Sequence, residues 1–386
     1  MNKLQIKFSL LLSFLYSQCT FCQNNNGGFQ AIPYEIQETA PGMILIEGII
    51  SDSPKKYGLS ADTIRPFYIS ALEETNAQYL AYLSEIKKYY SPSAYEKALP
   101  DTSVWLKENL PDSLKKYLFK NYLRNYIFQD YPVVGVSPEQ ILKYAQWKTD
   151  RVNEMILIRE GLLDFFAAPD SLVLFSTEGY LGGKWQGQLK NKLPSFDDQV
   201  PERDVRMEDG IFLPRYRIAV ADEWKIAALA TGDKDHYYFQ TPKPYNHKKF
   251  DKKNYFGYLF VTEKGIASNN YPIMATLSEI HLKRVYNVSA NNYLVRGMYD
   301  NVSEWALDAN GSYIAMGGSW KTPGPSYATV YDPLKPDNSK YVCRMDFVLP
   351  TKEQNKVSGA TGFRLAMDYI GNIDPRIKKR KVKNEN

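Results

Sequence analysis

Apolar residues fall at helical spacing in two stretches of the chain and at shorter periods in several others. In TNAQYLAYLSEIKK, residues 75 to 88, Tyr79, Leu80, Leu83 and Ile86 line one face of a helix. Thr75 with Gln78 three residues on is a capping box, so the helix is predicted to start there. A longer helix is predicted in SPEQILKYAQWKTDRVNEMILIREG: Ser137 caps it, Pro138 takes its first position, Gln140 completes the box and Gly161 ends it. Its inner face is Ile141, Ala145, Val152 and Ile156. MILIEG (43 to 48) and RPFYIS (65 to 70) read as short strands. GFRLAMDY (362 to 369) sets Phe363, Leu365 and Met367 against Gly362, Arg364, Ala366 and Asp368, the period of a half-buried strand. DEWKIAALA (222 to 230) predicts a short helix ahead of a long stretch rich in Gly, Asn, Pro and aromatics without helical period, which reads as loop-rich β structure.

With no internal repeat and no Gly/Ser linker, the pattern predicts one α+β domain over residues 41–370. It carries two insertions, about 90–131 with some helix and 164–212 mostly loop. Residues 23–40 read as a flexible segment. Residues 371–386 read as a disordered basic tail, because RIKKRKVKNEN offers bases without apolar partners.

At 386 residues, 44% hydrophobic and 14% aromatic, the chain can bury a substantial core. The formal charge of +5 sits in the basic tail and in Lys3 and Lys7, which leaves the body slightly acidic and argues against a nucleic-acid partner. Residues 1–22 have the form of an export leader: two lysines, an apolar run from Phe8 to Tyr16 too short to span a membrane, then small and polar residues. Export to the periplasm or outer membrane is expected. Cys19 is the candidate lipidation site, with Cys22 beside it, and plain cleavage before Gln23 competes because the flanks fit a lipobox poorly. Only Cys343 remains in the body, which provides neither an internal disulfide nor a thiolate pair.

Few constellations offer chemistry. His236, His247 and His281 are the only histidines, and none has metal-binding spacing with another. Nucleophile elbows, phosphate loops and dinucleotide fingerprints are absent. The basic, Tyr-rich segment 236 to 258 could stack on a sugar or a base but reads more simply as a surface loop.

What remains is an ordered set of landmarks: PGMILIEG (41 to 48), RPFYISALEETNAQY (65 to 79), YPVVGVSPEQILKYAQWKTDR (131 to 151), RIAVADEW (217 to 224), NVSEW (301 to 305), GGSW (317 to 320) and GFRLA (362 to 366). In this order they resemble the formylglycine-generating enzymes, also called sulfatase-modifying factors, from about Pro41 to Tyr369. LPDTSVW (99 to 105), LFSTEGYLGG (174 to 183) and EDGIFLPRYR (208 to 217) extend the likeness to the branch of the gliding-motility lipoproteins J and K of the Bacteroidetes type, J above K. The resemblance implies an α+β variant of the C-type lectin fold, with the GFRLA strand next to the GGSW strand. It also implies a setting in the type IX secretion and gliding machinery, with other envelope proteins as partners.

The same resemblance exposes departures. In active members two copper-binding cysteines follow the GGS-aromatic strand, and here those positions are Thr322 and Tyr327. Soft thiolates select Cu(I), and a hydroxyl with a phenol does not replace them. Active members also hold a structural calcium near NVSEW, but the oxygen ligand expected at 297 is Gly297, which leaves Asn301 and Glu304 as weak candidates. The plainer expectation is that Glu304 bonds backbone amides and that Trp305, Trp320 and Phe363 are core aromatics. A non-catalytic envelope scaffold without a cofactor is therefore expected. An oxidase with a rearranged site and a carbohydrate- or peptidoglycan-binding module are the alternatives.

Overall fold

The structure, a computed structural model, describes residues 37, 39–51, 59–164, 174–197, 200–229, 236–240, 282–288, 290–291, 293–298, 300–321, 356–371 and 374–379. Strands β1 (Met43–Ile46), β2 (Ile49–Ser51), β3 (Thr63–Ile64) and β4 (Phe67–Ser70) come first. Helix α1 (Asn76–Tyr89) follows with the capping box in place: Gln78 N–H donates to Thr75 Oγ1 and Thr75 N–H donates to Gln78 Oε1 at 2.8 Å. The first expected insertion is mainly helical, with α2 (Pro92–Ala98), two 3₁₀ turns and α3 (Asp112–Asn121). Asn76 fastens it from below, its amide donating to the carbonyls of Tyr122 and Phe128 at 3.0 and 2.9 Å.

Helix α4 (Pro138–Arg159) starts at the Ser137–Gln140 box and stops at Gly161. There the N–H of Leu162 donates to Leu157 and that of Gly161 to Ile158, with Gly161 at φ +72°, the paired bonds of a Schellman cap. The short helix α5 (Thr177–Leu181) and strands β5 (Leu193–Asp197), β6 (Val200–Arg203) and β7 (Tyr216–Val220) lead to helix α6 (Ala221–Leu229) and β8 (His236–Gln240). Strands β9 (Ser303–Leu307), β10 (Tyr313–Met316), β11 (Thr361–Gly362), β12 (Leu365–Asp368) and β13 (Asp374–Lys379) complete the chain.

The main sheet runs β1-β4-β12-β7-β9-β10, with β11 parallel to β9. Strand β12 pairs with β4 and β7, not beside the GGSW segment that follows β10. It is also buried on both faces rather than one, with only Asp368 exposed. The reason is central placement. Ala366 joins Ile44, Phe67, Trp224 and Ala306 in one apolar cluster, while Phe363 on the opposite parity packs edge-on against Tyr79 and Tyr144 from α1 and α4.

Two expectations fail. The tail does not leave the fold at 371: β13 pairs antiparallel with β8 at the edge of the sheet β13-β8-β2-β3, aligning Ile377 with Phe239 and Lys378 with Tyr238. A main-chain ladder needs no apolar run, so a basic segment can close a sheet edge without the signature of a buried strand. The chain also divides into two compact units where one was expected, the smaller built on Asp150–Leu213. No linker marks the division because it falls inside α4. The smaller unit has its own core of Leu157, Leu163, Phe175, Val205 and Phe212, and among the described residues of the second insertion regular structure is limited to α5, β5, β6 and one 3₁₀ turn. Asn153 ties it together, donating to Leu213 O and accepting from Leu213 N–H.

Candidate functional site

Five of the seven landmarks meet through a buried ionic centre in the larger unit. Arg364, from GFRLA, is fully shielded and grips Glu304, from NVSEW, with Nε on Oε2 and Nη2 on Oε1, both at 2.5 Å. Its remaining donors reach main-chain carbonyls: Nη1 bonds Ser70 O at 2.9 Å and Nη2 bonds Arg296 O. Trp224, from RIAVADEW, donates its indole N–H to Glu304 Oε2 at 2.6 Å. Glu73, from ALEET, accepts from Asn301 Nδ2 at 2.6 Å and from Val302 N–H at 3.3 Å. Asn301 holds this position in the left-handed region at φ +68°, which Asn tolerates better than most side chains. Its Oδ1 accepts from Lys283 N–H, and its carbonyl accepts from Trp320 N–H of GGSW at 2.7 Å.

Two carboxylates face one guanidinium here. Burial, then the neighbouring Glu304 charge, push the Glu73 carboxyl well above the usual carboxylate range, against the opposing pull of Arg364. A second cluster adjoins it through Glu74, which accepts from Tyr144 Oη at 2.7 Å and from Lys148 Nζ at 2.5 Å. The Lys148 ammonium also lies over the Tyr216 ring at 5.2 Å. Burial and Glu74 raise the phenols of Tyr144 and Tyr216.

The GGSW segment is held as part of this framework. Gly317 sits at φ +82°, and a Cβ there would lie 2.6 Å from Met298 O, so only glycine fits. Trp320 is buried, donates to Gly359 O at 2.8 Å and stacks on Trp105 from the first insertion. Glu108 accepts from Gly359 N–H and pairs with Lys321, which lies over the Trp320 ring. Trp305 donates to Val136 O at 3.1 Å, and Phe363 is fully shielded, so all three aromatics expected in the core are there.

Glu304 bonds a guanidinium and an indole, not backbone amides as expected from sequence. The calcium candidates do not fit the ion. Both oxygens of Glu304, both of Glu73 and both of Asn301 already accept hydrogen bonds, and a guanidinium lies where a cation would have to enter. At position 297 the Glu73 carboxylate lies 3.0–3.2 Å from where a Cβ would stand, so no ligating side chain has room. Among the described residues no group of three or more His, Cys, Asp or Glu is arranged to hold a metal. Thr322, Tyr327, Cys343, Cys19 and the leader lie outside the described residues, as do His247 and His281. Glu73 and Arg364 are what sequence reasoning missed. The sequence offers only hints, an arginine among apolar residues just before β12 and paired glutamates just before a capping box, and neither distinguishes a buried ion pair from a solvated one.

Comparison with models of known protein families gives an extended match. The family model described as the sulfatase-modifying factor enzyme 1-like domain matches residues 29–369. No curated protein matches the chain. Among solved structures, that of CarF is 15% identical, covering 86% of this chain and 100% of its own, with a TM-score of 0.32. Variable protein 1 of Treponema denticola is 14% identical, covering 84% of this chain and 94% of its own, with a TM-score of 0.34. Among the described residues no helix is long and apolar enough to cross a membrane.

Proposed function

The chain belongs to the family of sulfatase-modifying factor enzyme 1-like domains, and from that premise we propose that it keeps the family's fold without its chemistry, as a non-catalytic scaffold of the cell envelope. The observation that carries this reading is where the landmark residues spend their interactions. Glu73, Trp224, Asn301, Glu304, Trp320 and Arg364 bond one another or main-chain atoms inside the larger unit. Such residues serve packing, whatever the sequence beyond Lys321 carries. That sequence includes Thr322 and Tyr327, the positions of the copper-binding cysteines in active relatives. Cu(I) calls for thiolates, and a phenol with a reference pKa of about 10 stays protonated near neutral pH.

The setting follows from the likeness to the gliding-motility lipoproteins J and K: an exported chain, starting at a lipidated Cys19 or at Gln23, that joins other envelope proteins of the type IX secretion and gliding machinery. Its action is by protein contacts. Replacement of the native gene by variants tests the proposal. Thr322→Ala and Tyr327→Phe are expected to retain secretion and gliding at normal protein levels, with crosslinking recovering the same envelope partners as the parent chain. Loss of both activities at unchanged protein levels in either variant would favour the rival reading, an oxidase with a rearranged site.

A further inference from the structure

We propose that the outer face of α3 is a docking surface for an anionic phospholipid membrane. Helical hydrogen bonding runs past the end of α3, with Tyr122 N–H donating to Leu118 O and Asn125 N–H to Asn121 O, so Lys116, Lys120 and Arg124 fall in one line at four-residue spacing. The buried line Leu114, Leu118 and Tyr122 lies on the opposite side of the helix. Tyr122 packs on Trp105 and Phe128 and donates its hydroxyl to Pro132 O at 2.8 Å, which holds the basic line outward. All three bases are exposed, and none makes a hydrogen bond or salt bridge among the described residues. Asp112, the acid nearest to Lys116 along the helix, pairs with Lys115 at 2.9 Å, and no Asp or Glu occurs between Ser113 and Gln129. Like charges at this spacing oppose the helix slightly, so local stability does not account for the line. Two apolar side chains accompany it. Phe119, between Lys116 and Lys120, is 36% exposed; Tyr126, in the 3₁₀ turn that follows, is 70% exposed, the most of any large apolar side chain among the described residues. Bases on long apolar stems with exposed rings beside them match the headgroup layer of a membrane, where the cations meet lipid phosphates and the rings settle at the acyl boundary. An acidic peptide would satisfy the charges and leave both rings in water. The inference goes beyond the scaffold reading and stands on this geometry, not on export or on lipidation of Cys19, which cell fractionation and intact mass test separately.

Vesicle flotation of the chain from Gln23, the unlipidated start given above, is the direct test. The chain is expected to float with vesicles of phosphatidylcholine and phosphatidylglycerol, not with phosphatidylcholine alone, and to be released as salt is raised. Each base near an anionic surface is worth about fivefold in partitioning, so Lys116→Gln, Lys120→Gln and Arg124→Gln together should weaken binding by about 100-fold. Phe119→Ser with Tyr126→Ser should weaken it by about tenfold at unchanged charge. Both variants are expected to stay folded, since the replaced side chains lie on the surface. Arg380→Gln, Lys381→Gln and Lys383→Gln remove the same charge from the end of the chain and form the matched control, with a smaller loss expected. Absence of parent binding to the anionic vesicles, or equal binding by the parent chain and the triple α3 variant, would overturn the proposal. So would a loss in the matched control as large as that in the α3 variant, or unchanged binding when Phe119 and Tyr126 are replaced. Displacement of the parent chain from vesicles by poly-glutamate at matched charge would also overturn it, in favour of an acidic protein partner.

Discussion

At the scale of single residues, the buried centre carries one proton-linked term whose sign is fixed. Glu73 is buried beside Glu304, and its carboxyl is raised above the unfolded value. Folding therefore takes up a proton in the window between the unfolded and folded pKa. The contribution is fully present below the unfolded value and is lost as pH rises through the folded one, at up to about 1.4 kcal/mol per pH unit. Urea unfolding from pH 5 to 8 should show stability falling more steeply in the parent chain than in Glu73→Gln, which mimics the neutral form. Equal slopes would mean that Glu73 is ionised in the fold. Trp305 makes the complementary case of packing: it is buried, with its indole N–H on Val136 O, so Trp305→Ala should lower stability by about 3–5 kcal/mol. A loss under about 1 kcal/mol in the same titration would remove it from the core.

At the scale of elements, local rules and tertiary placement part company. Both capping boxes and the Gly161 stop were legible because they are decided within a few residues of chain. Gly161→Ala, with no atom within 4 Å of the added Cβ, should cost about 1 kcal/mol through the positive φ alone, readable as a small drop in melting temperature. The core aromatics Trp305, Trp320 and Phe363 were legible as well. Arg364 was not, because two-residue alternation assigned it to solvent, and only the position of β12 between β4 and β7 puts that face inside. Strand β13 was hidden for the opposite reason, since its pairing with β8 is main-chain bonding that leaves no apolar pattern. Truncation after Ile373 should therefore lower the melting temperature measurably. An unchanged midpoint would return residues 374–379 to a dispensable tail.

At the scale of the whole molecule, the family's landmarks map onto a frame whose centre is β4, β12, β7 and β9 with the Glu73, Glu304 and Arg364 ion cluster. Amide exchange should be slowest in β12, whose two partners and two buried faces leave no route to solvent short of global opening, and faster in the edge strand β10. The frame explains how GGSW persists without the cysteines: Gly317 is demanded by Met298 and Trp224, and Trp320 by Gly359 and Trp105, none of them groups that react. In the proposed reading, the positions at which the family's chemistry would need cysteines are Thr322 and Tyr327. The most direct measurement is therefore Cu(I) competition against a chromophoric chelator, run on the parent chain and on Cys343→Ser, with oxidation of a sulfatase-type cysteine peptide followed in the same samples. No submicromolar copper site and no formylglycine product are expected in either chain. Tight Cu(I) binding that survives Cys343→Ser, or turnover of the peptide by the parent chain, would contradict a non-catalytic scaffold.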